Sequence, residues 1–431
     1  MARFLFTVWP FPGHIHPNIA VAHALRRLDH EVGFYTSEAA RPIVEGEGFV
    51  CFPFQRIDEA LVHDTVLSPA GIMAQRGHPL RLRAMWRELL IGTVPSQLAD
   101  LDSLLSTWTP DVIVCDPIMW GPILVLHETR RIPIAVFSYA AACVLPGSDA
   151  PLLGVSLPRP RNAFARLRAR LIRVVFGLIV RGELRAASEL RKSYGLPPLH
   201  TSVTEYTGQL PLYLMPSTPE FDYQRSDLPP SVHYVGPCLW DKPAGQAPPE
   251  WLTQLQDDRP LVYVSEGTIP GKIPVVLRAA AGGLGNLPMQ VVMTTGTHRD
   301  PVELGLEGVA PNIRVEQWVP LSDLLPRADL VITTGGSGTV LAALREGIPL
   351  LAIPIAWDQP ENAWRVVEAG AGLRLSWQRC TPKRLREAVG RLLDDPSFRS
   401  NARRLAADFA CYGGATQAAE LLQELASRRV P

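Results

Sequence analysis

Two histidines and one aspartate in the N-terminal half have the residue types and positions needed for proton transfer. His14 and His16 lie in a Pro- and Gly-rich segment, predicted to be a turn between the apolar run 4–8 and a helix at 18–28, and Asp116 directly follows the apolar run 112–115. An imidazole titrates near neutral pH, so one of these histidines could be a general base. A carboxylate bonded to its ring would fix the tautomer and stabilise the imidazolium. A structural histidine and a capping or turn aspartate remain open, and the lack of a GxSxG motif disfavours a serine hydrolase.

The C-terminal half carries a glycine-rich segment suited to phosphate. Residues 334–339 read TGGSGT, follow the apolar run 330–332 and precede a helix predicted at 341–346. Backbone N–H groups at a helix N-terminus, together with the helix dipole, favour a phosphate group there. No Walker lysine follows and the spacing is not a clean GxGxxG, so a tight turn with close helix packing is the alternative. Further on, Asp358 and Gln359 could hydrogen-bond the vicinal hydroxyls of a sugar.

Both halves alternate short apolar runs with helical patterns, which is typical of βαβ units and parallel sheets. A Pro-, Gly- and Ala-rich stretch separates them. We therefore predict an α/β protein with a first domain at 1–236, a linker at 237–260 and a second domain at 261–405. The helix at 406–431 is expected to pack back on the first domain. Ligands of open parallel sheets bind beyond the carboxyl ends of the strands, so we expect a site facing a cleft between two doubly wound domains.

Composition narrows the class of protein. The 431 residues are 47 % hydrophobic, and 42 Lys+Arg balance 42 Asp+Glu, so the net charge gives no reason to expect a nucleic-acid partner. The six cysteines form no CxxC pair, and neither clustered carboxylates nor an HxxxH spacing suggests a bound metal. No secretory signal and no run of ~18 apolar residues is apparent, so we expect a cytoplasmic protein.

The segment 159–192 is rich in arginine and has a long helical pattern with apolar residues between the charges. Its simplest interpretation is a helix that packs on the first domain with solvated arginines. The second interpretation is a peripheral contact with anionic lipid. That contact would add a membrane surface to the partners of a cytoplasmic protein.

Six motifs in this order are similar to those of one enzyme family. They are PGHIHP at 12–17, VGP at 235–237, VYVSxGT at 262–268, WVPLSDLL at 318–325, the glycine-rich segment together with GIPLLAIP at 347–354, and the pair Asp358-Gln359. Over essentially its whole length the chain resembles the inverting nucleotide-sugar glycosyltransferases of family one. The resemblance implies their GT-B fold, in which two Rossmann-like domains face each other across a cleft. Within the family the chain looks most like bacterial natural-product and carotenoid (zeaxanthin-type) glucosyltransferases.

The resemblance implies a role for each matching residue. His14 would be the base that deprotonates the acceptor hydroxyl, and Asp116 would be the carboxylate that orients it. The residues implied in donor binding are Thr268 beside the phosphates, Trp318 on the nucleobase, Thr334, Gly336, Ser337, Gly338 and Thr339 at the diphosphate, and Asp358 and Gln359 on the sugar.

Four positions depart from the pattern of the family. Thr334 replaces the usual histidine before the glycine loop, so a neutral hydroxyl stands where the family has a donor to the diphosphate. Leu321 replaces the glutamine of the WxPQ motif, and Ala342 falls where plant members have a ribose-binding glutamate. Glu266 places an acid close to the expected phosphates. These changes bear on donor affinity and not on the expected base.

The resemblance implies an inverting transfer of a sugar to a hydroxyl of an apolar small molecule. Glucose is expected as the sugar, from a UDP-sugar ahead of a dTDP-sugar, with no metal and no cofactor. Aromatic residues of the N-terminal half, such as Phe52, Phe54, Trp86, Tyr139 and Phe164, point to an apolar acceptor. Three other functions stay open: a sugar-nucleotide 2-epimerase, a non-catalytic partner with a degenerate donor loop, and a lipid-linked sugar transferase at the membrane face.

Overall fold

The computed structural model of the protein describes most of the chain as two compact units. The described residues are 1–66, 84, 87–138, 145, 157–160, 162–223, 225–242, 246–267, 274–296 and 299–428, with the backbone alone for 173 and 176–180. The first unit comprises Met1–Trp240 and Tyr412–Pro431, and the second comprises Asp241–Cys411.

A parallel sheet of seven strands forms the centre of the first unit within the described residues. The strands are β1 Arg3–Thr7, β2 Glu31–Thr36, β3 Val50–Pro53, β4 Val112–Cys115, β5 Ile134–Phe137, β6 Leu212–Met215 and β7 Val232–Tyr234. Their order across the sheet is β3-β2-β1-β4-β5-β6-β7, so the chain starts in the middle and winds outward in both directions. Strands β4, β5 and β6 are buried at every residue, which is why they are continuous apolar runs in the sequence.

Helices of the first unit lie between these strands in the chain. They are α1 Pro12–Arg27, α2 Arg41–Gly46, α3 Glu59–Val66, α4 Val94–Leu105, α5 His127–Thr129, α6 Ala163–Ser193 and α7 Val203–Thr207. A 3-10 turn at Glu38–Ala40 and π-helical turns at Glu88–Gly92 and Pro122–Leu126 precede or extend three of them. The core between β1 and α1 contains Phe4, Phe6, Ile15 and Ile19, all at most 2 % exposed.

The second unit repeats the same winding with six strands among the described residues. The strands are β8 Leu261–Ser265, β9 Gln290–Thr294, β10 Ile313–Glu316, β11 Leu330–Thr333, β12 Leu350–Ala352 and β13 Gly372–Arg374. The helices are α8 Val275–Leu284, α9 Leu321–Leu324, α10 Ser337–Arg345, α11 Gln359–Glu368, α12 Pro382–Asp394 and α13 Pro396–Ala410, with 3-10 turns at Glu250–Gln254, Leu325–Arg327 and Trp377–Arg379. The strand order is β10-β9-β8-β11-β12-β13, again parallel throughout. The prediction of two doubly wound, Rossmann-like units is confirmed.

The last helix, α14 Ala415–Ser427, packs beside α1 in the first unit. Ala418 and Leu422 join the buried cluster that lies under β1. The chain enters this helix past Gly236, whose φ of +83° favours glycine. A Cβ at Gly236 would lie 2.6 Å from the Cβ of Tyr412. The glycine of the VGP motif is therefore needed where these two stretches of the first unit cross.

Two helices begin earlier than the sequence pattern predicts. Helix α1 begins at Pro12 and not near residue 18, so the segment predicted as a turn is helical. Proline is favourable at the first helical position, where no N–H is needed, and the buried Ile15 extends the apolar stripe of the helix back to this turn. Helix α10 begins at Ser337 and not near residue 341, because burial of Val340 and Leu344 outweighs the weak helix propensity of its first residues.

The arginine-rich segment forms most of the long helix α6. Its last turns pack on the first unit, where Ala186 and Ala187 are buried and Arg191 is 2 % exposed. The Arg191 guanidinium donates to the carbonyl of Leu124 at 2.7 Å and to the carboxylate of Glu128 at 2.7 Å. In the part of the chain that the structure describes, no helix is both long and apolar enough to cross a bilayer.

Candidate active site

His14 and Asp116 are in direct contact in the first unit. His14 lies in the first turn of α1, and its Nδ1 is 2.8 Å from Oδ2 of Asp116. The Asp116 side chain is fully buried, whereas the His14 side chain is 17 % exposed. A carboxylate only accepts, so Nδ1 carries the proton and Nε2 is the basic nitrogen of the ring. This is the arrangement in which a histidine can take a proton from an alcohol.

The sheet explains why these two residues meet. Strands β1 and β4 are parallel neighbours, with Thr7 paired to Cys115, so the residues that follow both strands lie at the same edge. The Asp116 N–H donates to the Thr7 carbonyl at 3.0 Å, which extends the ladder by one residue. The carboxylate is then fixed by the backbone, because Oδ1 accepts from the Ile118 N–H at 3.0 Å and Oδ2 from the Trp9 N–H at 3.4 Å. Asp116 is thus held in place before any ligand arrives.

Two residues close in sequence to this pair, His16 and Cys115, have different surroundings. The His16 ring packs against the ring of Trp240, with centroids 4.9 Å apart and the planes tilted by 66°. Of the two histidines, the structure brings His14 to Asp116. Cys115 is no nucleophile, since complete burial raises the pKa of its thiol far above the usual range.

The glycine-rich segment forms a loop between β11 and α10 in the second unit. Gly335 has φ +93°, and a Cβ there would lie 3.3 Å from the Gln359 carbonyl oxygen. The first bond of the helix runs from the Val340 N–H to the Gly336 carbonyl at 3.1 Å, so the N–H groups of 337–339 are not used inside the helix. A Cβ at Gly336 or Gly338 would meet no atom within 4 Å. The loop therefore presents N–H groups at an open helix N-terminus, as an anion site requires.

Thr334, just before the glycine loop, is buried, and its hydroxyl is hydrogen-bonded inside the second unit. Its side chain is 1 % exposed, and its hydroxyl donates to the Glu266 carbonyl at 3.0 Å. The proton of this hydroxyl is therefore directed at the loop after β8. We conclude that Thr334 joins the ends of β8 and β11, which are adjacent strands of the second sheet.

Glu266 uses its carboxylate inside the second unit. It is 1 % exposed, accepts from the Val276 N–H in the first turn of α8 at 3.0 Å, and pairs with Arg299 at 2.9 Å. Burial raises the pKa of this carboxyl above its usual value, and the hydrogen bond and charge of Arg299 offset part of that rise. The acid that departs from the family's pattern thus serves as a helix cap and ion-pair partner.

Asp358 and Gln359 follow β12 and begin α11. The Gln359 Oε1 accepts from the Ile355 N–H at 2.8 Å and the Ala356 N–H at 3.0 Å, so its oxygen is committed to the backbone and its NH₂ group remains as a donor. Trp357, just before the pair, has φ +60°. An aromatic residue in this left-handed region stores strain, and such strain is concentrated at functional sites.

Sequence reasoning missed one residue of this region, Asn362. Its Nδ2 donates to the Gly335 carbonyl at 2.8 Å and to Oδ2 of Asp358 at 2.8 Å, and the residue is 1 % exposed. One amide thus connects the glycine loop to the acid expected to bind the sugar. Its position four residues after Asp358 on a helix is the signal that could have found it.

Trp318 and Phe54, two of the remaining candidate residues, lie in the part of the chain that the structure describes. Trp318 lies between β10 and α9 and is 41 % exposed, which is high for a tryptophan. Thr268, Trp86 and Tyr139 lie outside the described residues. Phe54 is 7 % exposed and packs on Trp9, with ring centroids 5.8 Å apart, so it belongs to the interior of the first unit.

The two remaining positions that depart from the family's pattern, Leu321 and Ala342, lie on helices of the second unit. Leu321 is the first residue of α9, and Ala342 is 6 % exposed on α10. Phe52, expected near the acceptor, packs against Trp108, with ring centroids 5.5 Å apart. Among the described residues, no three His, Cys, Asp or Glu side chains lie close enough together to hold a metal ion.

Comparisons with known proteins identify the family. Residues 280–425 match the family described as "Erythromycin biosynthesis protein CIII-like, C-terminal domain". The 4'-demethylrebeccamycin synthase of Lentzea aerocolonigenes is 33 % identical over 98 % of this chain and 99 % of its own length. The demethyllactenocin mycarosyltransferase of Streptomyces fradiae is 27 % identical over 99 % of this chain and 87 % of its own.

The fold is shared with a solved structure. The spinosyn rhamnosyltransferase SpnG complexed with thymidine diphosphate has a TM-score of 0.71 and 21 % identity, covering 98 % of this chain and all of the other. The epimerase, non-catalytic and lipid-linked alternatives gain no support from these comparisons. The finer resemblance to carotenoid glucosyltransferases stays a prediction. The chain belongs to the natural-product glycosyltransferases of family one, enzymes of the GT-B fold that transfer a sugar from a nucleoside-diphosphate sugar.

Proposed function

We propose that the protein transfers glucose, with inversion, from a nucleoside-diphosphate sugar to a hydroxyl of an apolar small molecule, with His14 as the general base. The observation that carries this proposal is the 2.8 Å contact between His14 Nδ1 and the buried carboxylate of Asp116. It explains why an imidazole at this position would be basic at Nε2 and correctly oriented.

The proposed step is a single displacement. The acceptor oxygen attacks the anomeric carbon of the sugar while His14 Nε2 takes the proton of the acceptor hydroxyl. The new carbon–oxygen bond forms as the bond from that carbon to the phosphate oxygen breaks, and the nucleoside diphosphate leaves with the bonding electrons. The Asp116 carboxylate stabilises the imidazolium that results, and the proton then passes to solvent.

We propose that the glycine loop and the N-terminus of α10 receive the negative charge that develops on the leaving diphosphate. The N–H groups of 337–339 are outside the hydrogen-bond ladder of the helix, and the helix dipole adds to their effect. Asp358 and the NH₂ group of Gln359 would hold hydroxyls of the sugar, and the exposed ring of Trp318 would stack on the base. No step of this scheme requires a metal, so a chelator should leave the rate unchanged.

Uridine diphosphate glucose is the first donor to test, in line with the resemblance of the sequence. Thymidine diphosphate glucose is the second, since the spinosyn rhamnosyltransferase of the same fold holds thymidine diphosphate. The acceptor is proposed to be an apolar natural product, in line with the resemblance of the sequence, and two relatives are named for demethylrebeccamycin and demethyllactenocin.

The test measures both donor choice and stereochemistry. Each of the two α-linked donors is incubated with a panel of hydroxylated polycyclic acceptors, and the anomeric proton of the product is assigned by NMR. A β-linked product supports the direct displacement. An α-linked product would contradict a single displacement, and a changed sugar in the absence of acceptor would show an epimerase.

A further inference from the structure

The N-terminal half of α6 exposes a row of large apolar side chains. Five of the eleven exposed large apolar residues in the described chain lie on this one helix. They are Phe164, Leu167, Leu171, Val174 and Val175, with 75 %, 55 %, 60 %, 64 % and 56 % exposure. Their spacing of three or four residues places them on one side of the helix, and we call this row the exposed apolar face.

Positive charge surrounds this face. From residue 150 to residue 182 the chain has seven arginines and no acidic residue. The whole chain has 42 basic and 42 acidic residues, so the residues outside this segment are 35 basic and 42 acidic. The chain as a whole is therefore neutral, although this segment carries a charge of +7. Arg166, Arg168 and Arg170 are exposed in the described structure. At 100° per residue, Arg168 and Arg170 flank the exposed apolar face on opposite sides.

Helix α6 is capped at its start and bonded to the rest of the first unit near its end. At its start the Asn162 side chain accepts from the Ala165 N–H at 2.8 Å, which caps the first turn. At its other end Arg191 donates to the carbonyls of Leu124 and Pro197, at 2.7 and 2.8 Å. The face is therefore part of a formed helix anchored on the first unit, and exposing it to water has a cost that a binding surface would remove.

We propose that the exposed apolar face binds the surface of an anionic lipid bilayer. A helix with apolar residues on one side and arginines along both edges lies in the plane of the interface, with its apolar side chains among the upper acyl chains. Arginine stems extend along that boundary while their guanidinium groups reach the lipid phosphates. The exposed apolar face thus matches the acyl chains of the bilayer, and the arginines beside it match the anionic lipid phosphates.

The binding would be peripheral and reversible. Residues 164–175 span about 18 Å of helix, far short of what crossing a membrane needs. The consequence for the enzyme rests on the proposed function: an apolar acceptor concentrates in a bilayer, so the transferase would work where its acceptor dissolves.

Flotation of the full-length protein with vesicles tests the proposal. Vesicles of phosphatidylcholine are compared with vesicles that also contain about 30 % phosphatidylglycerol, at low salt and at about 0.5 M NaCl. We expect binding to the anionic vesicles and not to the neutral ones, and weaker binding at high salt. The double variant Leu171→Gln/Val174→Gln should lower the vesicle partition coefficient by about tenfold or more.

Matched variants separate this surface from general effects. Val302→Gln changes an apolar residue of the second unit that is 54 % exposed and should bind like the parent. Arg166→Gln/Arg170→Gln should lower binding and its salt dependence. Arg404→Gln, which changes an exposed arginine on α13 of the second unit, should change neither. For all of these variants, transfer to a water-soluble acceptor without vesicles should be unchanged.

Four results would overturn the proposal. The first is that the parent protein does not float with anionic vesicles, and the second is that the Leu171/Val174 variant floats as well as the parent. The third is that this variant raises the KM for a soluble acceptor with unchanged flotation, which would assign the face to acceptor binding. The fourth is a parent dimer in light scattering that the same variant abolishes with unchanged flotation, which would assign the face to a second copy of the chain. Each leaves the transferase activity itself measurable, so failure here is distinct from failure of the proposed function.

Discussion

Replacing Asp116 by asparagine should slow transfer more than replacing it by alanine, although asparagine is closer in shape. The carboxylate accepts at both oxygens, from Ile118 N–H at Oδ1 and from His14 Nδ1 and Trp9 N–H at Oδ2. An amide has one oxygen. If the amide oxygen still accepts from the Ile118 N–H, the NH₂ group faces His14 Nδ1 and forces the ring proton onto Nε2. In the opposite orientation the NH₂ group faces the Ile118 N–H, and two donors cannot form a hydrogen bond.

The expected rate losses follow from these contacts. Alanine removes a charge-assisted hydrogen bond worth about 1.5–3 kcal/mol, which corresponds to roughly tenfold to a hundredfold in rate. Asparagine removes the same bond and also favours the His14 tautomer with its proton on Nε2, so that this nitrogen cannot take the proton of the acceptor hydroxyl. We therefore expect a loss in rate of about 10²–10⁴-fold. Stability should change in the opposite order, because alanine leaves the backbone N–H groups of Trp9 and Ile118 without an acceptor at a cost of about 1–3 kcal/mol each.

The assay compares kcat at saturating donor for an alcohol acceptor and for an acidic phenol, with Tm measured on the same samples. The phenol ionises without help, so its rate should fall much less than that of the alcohol in both variants. The reasoning would be refuted if Asp116→Ala were slower than Asp116→Asn with the alcohol. It would also be refuted if both variants kept a rate within about threefold of the parent, since general-base catalysis is worth far more.

Three further variants test the second unit. Thr334→His should not tighten binding of a nucleoside diphosphate in calorimetry and should lower Tm, because the buried Thr334 hydroxyl faces the Glu266 carbonyl and a larger ring there costs about 1–3 kcal/mol; tighter binding would contradict this. Asn362→Ala should raise the donor KM severalfold and destabilise the protein by about 1–3 kcal/mol, because it leaves the Gly335 carbonyl without its amide donor; an unchanged donor KM would remove Asn362 from the site. Trp318→Ala should weaken nucleoside-diphosphate binding about tenfold through lost stacking, whereas Val302→Ala, the matched exposed residue, should not; equal affinities would argue against stacking.

The strands could be predicted because their burial is local information. Strands β4 and β8 are buried at every residue, so β4 is a run of apolar residues and β8 is one up to its last residue, Ser265. The polar residue that follows such a run is then expected at the carboxyl edge of the sheet, which is how Asp116 became a candidate. That it meets His14 also requires β1 to lie beside β4, and this depends on the winding of the whole unit.

The contacts around the glycine loop could not be predicted in this way. Thr334 bonds to a carbonyl 68 residues away, and the carboxylate of Glu266 pairs with Arg299, 33 residues further along the chain. No periodicity encodes such partners, so a departure from a family motif gives no indication of its purpose. The structure supplies one, because the acid caps α8 and the threonine joins two strand ends.

The start of α1 shows how tertiary packing outweighs local signals. Two prolines and a glycine around His14 predict a turn, yet the segment is helical from Pro12. Pro12 occupies the position where a missing N–H has no cost, and burial of Ile15 and Ile19 holds the first turns against the sheet. The outcome matters for function, because it places the His14 ring on a rigid helix.

The most direct test of the central claim compares His14→Ala with His16→Ala. In each variant kcat is measured with an alcohol acceptor, and donor affinity is measured separately by calorimetry. The account predicts that His14→Ala lowers kcat by about 10²–10⁴-fold with unchanged donor affinity and an intact fold, and that His16→Ala has a much smaller effect. A loss that is larger for His16, or a His14→Ala enzyme that retains most of its kcat, would contradict the assignment of His14 as the base.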